Sequence, residues 1–177
     1  MDPLVLGNLV SLAGSVVMVL VGLIKSKKGI LAAQCLMFAL LAAGNLILGG
    51  VAGAVVDGVS ILRNVLCFFI PFTVGWKAGF IGLFVLTAFL PGLLGWTGGL
   101  KLTDLLPVVG SGVFTWCLDA RDGIVLKLAI IFGQLMWTVY DFTIRNYTAL
   151  AFDLMTVVSN GIGIWMLRRD RNKKSGG

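Results

Sequence analysis

The segment Trp137–Gly161, with the sequence WTVYDFTIRNYTALAFDLMTVVSNG, carries the polar residues that decide the fold. Asp153 and Asn160 stand in an otherwise apolar run, seven residues apart (160 − 153). At about 100° per residue this spacing makes two turns, so both side chains point the same way from one helix. A carboxyl group and an amide on one face of an apolar helix are costly to expose to lipid. They must therefore face protein or water.

The same two residue types occur earlier in the chain at a constant offset. Asp57 and Asn64 each lie 96 positions upstream of their counterparts (153 − 57 and 160 − 64). The polar pairs at this offset are Ser15/Ser111, Lys25/Arg121, Asn45/Asp141, Asp57/Asp153 and Asn64/Asn160. Hydrophobic matches mean little in so apolar a chain, but polar matches are harder to obtain by chance. The sequence therefore predicts two copies of one unit, with a polar site between them.

The composition indicates a polytopic membrane protein. Hydrophobic residues make up 58% of the 177 residues and charged residues only 12%, with neither Glu nor His present. Soluble proteins carry about 25% charged residues. Without His, Glu, a metal-ligand cluster, a nucleophile set or a phosphate loop, we expect no enzyme, no metal and no cofactor. The net charge of +6 is concentrated in a C-terminal tail, so no nucleic-acid partner is expected.

Seven transmembrane helices are predicted from apolar runs bounded by Gly, Pro and charged residues. They cover residues 4–24, 30–48, 52–69, 79–96, 105–118, 124–144 and 147–167. Helices one to three repeat as five to seven, and helix four is a linker that lets both copies run in the same direction. The predicted units are a first three-helix bundle at 1–71, linker helix four at 72–102, a second three-helix bundle at 103–167 and a basic cytoplasmic tail at 168–177. Transporters built from such parallel repeats hold their substrate between the repeats, near the midplane.

The distribution of Lys and Arg predicts the orientation. The loops on one side hold Lys25, Lys27, Lys28, Lys77, Arg121 and the basic tail. The other side holds only Lys101 and Arg145. Since cytoplasmic loops carry the excess of Lys and Arg, the C-terminus is expected in the cytoplasm and the N-terminus outside.

Several motifs resemble the bacterial inner-membrane YgjV family. They are LLPVVGS at 105–111, Thr115-Trp116, the AGAVVD and LRN runs of helix three, and the later DLM and SNG runs. The resemblance covers nearly the whole chain. It implies a multi-pass protein of the cell inner membrane and implies no activity.

A more distant resemblance is to the SWEET sugar transporters and PQ-loop (MtN3-like) proteins. KSKKGI at 25–30 looks like their loop after helix one, and WTVY at 137–140 resembles their Trp-x-x-Tyr motif. The Arg145-Asn146 turn also fits, as does a polar residue sixteen positions after the Trp (137 + 16 = 153). The resemblance implies that Trp137 and Asp153 line a pocket, with Asp57 as the first-repeat counterpart. Acids replace the sugar-contacting amides here, so the resemblance does not specify a sugar.

The candidate substrate-binding residues are Asp57, Asn64, Trp137, Asp153 and Asn160. Asp57 and Asp153 can bind a cation or a cationic substrate, or carry a proton, because charged groups at membrane depth are by default functional. The alternative is that each carboxyl group is tied to Arg63 or to a backbone group and only holds the helices together. The two amides can contact substrate or cross-link helices, and Trp137, like Tyr140, can line the pocket or pack.

Two further charged residues have structural explanations. Arg63 lies six residues after Asp57, points about 120° away on the same helix, and is expected to make a gating or structural ion pair. Asp141 is expected to pair with Arg145, four residues on.

The function predicted from the sequence is a small SWEET-like membrane transporter. It would move a small polar or cationic solute by alternating access through a midplane pocket between the repeats, and its acids allow proton coupling. The alternative is a non-transporting membrane assembly or sensor module with the same fold. The expected partners are the solute, protons and the lipid bilayer; one chain can form a full pocket, so an oligomer is allowed but not required.

Overall fold

The computed structural model of the protein describes residues 1–21, 27–93, 101–118 and 122–175. These residues form seven α-helices and one short 3-10 helix, and no strand occurs among them. The α-helices are α1 (Pro3–Val21), α2 (Lys27–Ile47), α3 (Val51–Phe69), α4 (Val74–Leu93), α5 (Leu105–Cys117), α6 (Gly123–Thr143) and α7 (Tyr147–Ser175). The 3-10 helix, Leu102–Asp104, leads directly into α5.

The predicted all-helical class and the seven helices are confirmed among the described residues, and three boundaries differ by three residues or more. The second helix begins at Lys27 rather than at residue 30. The fourth helix begins at Val74 rather than at residue 79, so Lys77 lies inside a helix and is buried. The seventh helix continues through the predicted tail to Ser175, because the basic residues there favour a helix and no Pro or Gly interrupts them. The predicted ends of helices one and four, at 24 and 96, fall outside the described residues, as do Lys25 and Arg121.

Polar side chains lie inside the bundle and apolar ones outside it. The buried polar residues are Ser11, Ser15, Asn45, Asp57, Ser60, Arg63, Asn64, Lys77, Thr87, Ser111, Thr115, Asp141, Asn146 and Asp153. Large hydrophobic residues are exposed on each of the seven helices. A water-soluble bundle places its apolar residues inside, whereas helices in lipid gain nothing by hiding them and associate through packing and interhelical hydrogen bonds.

Six of the seven helices form a closed ring of neighbours. Neighbours in the ring are α1 and α2, α2 and α3, α3 and α5, α5 and α6, α6 and α7, and finally α7 and α1. Helix α4 packs against both α3 and α5. An apolar core forms there from Val56, Val59, Phe80, Phe84, Ala88 and Val108. The polar side chains described below lie where helices from the two halves of the chain meet.

Two tight turns have the same backbone geometry. Gly49, after α2, has φ +78°, and Arg145, after α6, has φ +60°; their positions differ by 96 (145 − 49). The Gly50 amide donates to the Asn45 carbonyl at 2.7 Å, and the Asn146 amide donates to the Asp141 carbonyl at 2.9 Å. We call the end of the bundle that holds both turns the turn end.

Two helices are long and apolar enough to cross a membrane by length and composition. They are the stretches Val51–Phe69 and Tyr147–Arg169. Shorter apolar helical stretches are Pro3–Met18, Leu31–Ile47, Val74–Leu90 and Leu102–Cys117. These two spans and the polar interior are consistent with a helical membrane protein.

Candidate functional site

Three aspartates from different helices lie together near the turn end. Asp57, Asp141 and Asp153 are only 1%, 3% and 6% exposed, and their carboxyl groups interact electrostatically. Asp57 and Asp153 each stand six residues after the first residue of their helix (57 − 51 and 153 − 147), roughly 9 Å along its axis at about 1.5 Å per residue. Asp141 lies close to the end of α6. We call these three residues the acid cluster.

Each aspartate of α3 and α7 has a partner on the preceding ring helix. The Asn45 Nδ2 donates to Asp57 Oδ2 at 3.1 Å. The side chains of Asp141 and Asp153 are both buried and lie close enough to share a hydrogen bond. In the described part of the chain, Asp141 Oδ1 and Asp153 Oδ2 are buried without a hydrogen-bond partner. Such unsatisfied oxygens are unusual in a protein interior and call for an explanation.

A second asparagine fixes the orientation of the Asn45–Asp57 pair. Asn146 Nδ2 donates to Ser11 Oγ at 2.9 Å and to Asn45 Oδ1 at 3.2 Å. Because an amide oxygen can only accept, these bonds turn the donating end of the Asn45 side chain toward Asp57. The network thus connects α1, α2, α3 and the turn that precedes α7.

Tyr140 joins the two halves of the chain at the same level. Its buried hydroxyl accepts a hydrogen bond from the Gly53 amide at 2.8 Å. Gly53 is in the first turn of α3, where amides lack intrahelical partners, and the N-cap residue Gly50 has no side chain to offer. A Cβ at Gly50 would lie 2.9 Å from the Tyr140 hydroxyl. Glycine at this position therefore makes room for a cap that comes from α6.

The corresponding amide of α7 is capped locally. The Ala149 amide donates to Asn146 Oδ1 at 3.2 Å. Ala149 lies 96 positions after Gly53 (149 − 53), and Asn146 lies 96 positions after Gly50 (146 − 50). The two helix starts therefore differ in one respect: α7 has its own side-chain cap, and α3 uses a residue from the other half.

A second polar cluster surrounds Arg63, farther from the turn end. The guanidinium group donates to Thr115 Oγ1 at 2.8 Å and to Asn64 Oδ1 at 3.2 Å, and it lies 5.2 Å from the centre of the Phe114 ring. Asn64 in turn donates to Gln34 Oε1 at 3.1 Å. Among the described residues, Arg63 is therefore held by neutral partners on α3 and α5 and not by an aspartate.

The other predicted site residues lie apart from these clusters. Trp137 packs against the apolar core of α3, α4 and α5 and meets Tyr140 edge-on, with ring centres 5.8 Å apart. Asn160 is half-buried and donates to the Thr156 carbonyl of its own helix at 2.9 Å. Asp153 and Asn160 thus share a helix face, but only Asp153 reaches the acid cluster.

The predicted Asp141–Arg145 pair is wrong. Arg145 is exposed in its turn, while the Asp141 carboxyl group points inward to Asp153. In the described part of the chain no lysine or arginine forms an ion pair with the acid cluster. Charges taken out of water without a counter-charge are expensive, so this site is suited to a proton or another cation.

Sequence reasoning missed the partners of the two aspartates. The signal was present, because Asn45 and Asp141 match at the offset of 96, and each stands twelve residues before its aspartate (57 − 45 and 153 − 141). A tight turn between two antiparallel helices brings such residues to the same level. Tyr140 and Gln34 have no such signal, because the sequence separation between each residue and its partner matches neither the repeat nor a tight turn.

No group of three potential metal ligands with suitable geometry occurs among the described residues.

Comparison with known proteins gives one match, and it covers almost the whole chain. The Imp-YgjV family, described as a bacterial inner membrane protein, matches residues 5–171. No curated protein and no solved structure matches the chain, and the resemblance to SWEET and PQ-loop proteins stays a prediction. The predicted family and the membrane location are confirmed: this chain belongs to the Imp-YgjV family of bacterial inner membrane proteins.

Proposed function

We propose that the protein is a small membrane transporter that moves a small polar or cationic solute by alternating access. The observation that carries this proposal is the acid cluster, in which Asp57 from the first half meets Asp141 and Asp153 from the second. A structural role does not require three buried carboxyl groups without a basic partner. Intramembrane acids of this kind are typical of ion and substrate pathways.

The proposed architecture is two parallel three-helix repeats, α1–α3 and α5–α7, joined by the linker α4. Four structural features of the first half recur 96 positions later in the second half and support this architecture. They are the left-handed turn residues, the hydrogen bonds that close both turns, the two side-chain pairs of the acid cluster, and the capped amides of α3 and α7. The contacts of α4 with α3 and α5, one helix from each repeat, also fit a linker. On this proposal all seven helices cross the membrane, with the N-terminus outside and the C-terminus in the cytoplasm.

The proposed solute pocket lies between the acid cluster and the Arg63 cluster. Arg63 stands twelve residues after the first residue of α3 (63 − 51), roughly 18 Å along the axis. Asp57 stands roughly 9 Å along it, so the middle of this helix lies between the two charged groups. Asp57 and Asp153 would bind the cationic part of the solute, Asn64 would face it from the Arg63 side, and Trp137 and Asn160 would line it after helix movement. The buried aspartates correspond to a closed state of the cycle.

One observation favours a second candidate, a non-transporting assembly or sensor module. The network from Ser11 through Asn146 and Asn45 to Asp57 is continuous and buried. A sealed polar network can serve only to fix helix positions. In that case the aspartates bind nothing, and their neutralisation changes stability without changing any ligand response.

Ligand-dependent stability of the purified protein separates the two candidates. A panel of sugars, amino acids, polyamines and nucleosides would be screened for a shift in thermal unfolding, at acidic and neutral pH. A ligand that binds the folded state raises the unfolding temperature, and a positive compound would then be tested for uptake into proteoliposomes. We expect Asp57→Asn and Asp153→Asn to lose both the shift and the uptake.

The matched control is Asp2→Asn, which neutralises an exposed aspartate at the N-terminus and should behave as the wild type. Uptake that survives both Asp57→Asn and Asp153→Asn would refute the site. A protein that no compound stabilises and that takes up none of them would support the module.

A further inference from the structure

The two side-chain pairs of the acid cluster occupy equivalent places in the two halves but differ by one group. In the first half, the Asn45 amide donates a hydrogen to Asp57 Oδ2 at 3.1 Å. In the second half, the residue that matches Asn45 is Asp141, and its buried side chain lies within hydrogen-bonding reach of the buried Asp153. The same connection between helices is therefore made once by an amide and once by a second carboxyl group.

A hydrogen bond between two carboxyl groups needs a proton. Ionised carboxylates are acceptors only, and a carboxyl group can donate only when it is protonated. Two ionised groups at hydrogen-bonding distance would also repel each other strongly in a buried site. The proton of the second pair thus takes the place of the amide hydrogen in the first pair.

We propose that Asp141 and Asp153 share one exchangeable proton and that this pair is the proton-binding site of the transport cycle. With the proton bound the pair carries one negative charge, and after release to water it carries two. Release breaks the hydrogen bond between α6 and α7 and leaves two carboxylates in contact, which favours movement of the helices. This inference rests on the proposed transport function and assigns the coupling role to Asp141, beside Asp153.

The surroundings allow the pair to exchange a proton instead of binding a fixed basic group. Among the described residues, the titratable groups near the pair are Asp57 on α3 and Tyr140 on α6. Helices α1 and α5 contain no Asp, Lys or Arg, and the lysines of α2 are at its opposite end. The buried oxygens Asp141 Oδ1 and Asp153 Oδ2 have no partner in the described part of the chain.

The chain itself supplies the matched variants. Asp141→Asn would turn the second pair into a copy of the first, with a permanent amide hydrogen in place of the proton. Asn45→Asp would do the reverse and create a second acid pair. Both changes keep the side-chain size almost constant, so the helices are expected to pack as before.

Infrared spectroscopy of the purified protein detects the proton without any transported solute. A protonated carboxyl group has a carbonyl band that a carboxylate lacks. We expect this band in the wild type at neutral pH, its loss in Asp141→Asn and in Asp153→Asn, and its retention in Asp57→Asn. Asn45→Asp should add a second band. Absence of the band from the wild type, or its persistence in both Asp141→Asn and Asp153→Asn, would overturn the proposal.

Reconstituted protein then tests coupling, with the compound found in the stability screen. We expect Asp141→Asn to keep solute exchange across a vesicle membrane but to lose uptake driven by a pH gradient. Equal loss of both in a folded protein would overturn the coupling role. If the band is present and no compound is transported, the proton site stands and the transport function fails, so the two failures are distinguishable.

Discussion

Replacement of Tyr140 by Phe tests whether one half of the chain caps a helix of the other. The substitution keeps the ring, which packs against Trp137 and Gly53, and removes only the hydroxyl that accepts from the Gly53 amide at 2.8 Å. Because Tyr140 is 1% exposed, water cannot replace the lost acceptor. The amide of Gly53 is left buried and without a partner.

The expected loss of stability follows from that unpaired amide. A buried donor that loses its partner costs about 1–3 kcal/mol, and loss of a helix N-cap costs about 0.5–2 kcal/mol. These describe the same bond and are not added, so we expect about 2 kcal/mol. A change of this size lowers the ratio of folded to unfolded protein roughly thirtyfold.

The measurement is reversible unfolding of the purified protein in mixed micelles, with helix content as the signal. The control is Tyr147→Phe, which removes a hydroxyl from a residue that is 53% exposed and should change stability by less than about 0.5 kcal/mol. Equal stability of Tyr140→Phe and Tyr147→Phe would show that the hydroxyl does not cap α3. A large loss in both would show that the effect is not specific to the cap.

Two further substitutions test close contacts between the halves. Gly53→Ala places a Cβ 2.6 Å from the Tyr140 ring and should cost about 1–3 kcal/mol of stability by overpacking. Gly58→Ala, on the same helix with open space beside it, should be neutral or stabilising by up to about 1 kcal/mol. The same unfolding assay compares the two variants, and a Gly53→Ala protein that is the more stable one would contradict the contact. Thr115→Val removes an acceptor of the buried guanidinium group at 2.8 Å and should cost about 1.5–3 kcal/mol. Thr138→Val, which loses only a bond to its own helix backbone, should cost less, and the reverse order would contradict the cluster.

The helical fold could be predicted from the sequence because each helix is marked at both ends by its own residues. Apolar runs separated by glycines and charged residues define the turns after α2 and α6. The start of α4 was missed because Lys77 was assigned to a loop, whereas the structure places it, buried, within the helix. The segment packs as part of α4 against α3 and α5.

The acid cluster could be predicted only in part. Asp57 and Asp153 are recognisable because a lone acid in an apolar run has few explanations. Asp141 was assigned to Arg145 because a separation of four residues favours a pair on an ideal helix, but α6 ends at Thr143 and the turn carries the arginine away. Which neutral residues would hold Arg63 depends on how α3, α5 and α2 meet, and no local pattern encodes that.

The shared cap of α3 has a consequence for the order in which the protein is made. The last residue of α3, Phe69, is synthesised 71 residues before Tyr140 (140 − 69), a delay of roughly 4–14 s at about 5–20 residues per second. During that time the ribosome has delivered the first three helices, but the start of α3 lacks the acceptor for its Gly53 amide. By contrast, α7 receives its cap from Asn146 as soon as its own first turn emerges. The first half of the chain is therefore synthesised before the start of α3 has its hydrogen-bond acceptor, and the second half supplies that acceptor through Tyr140.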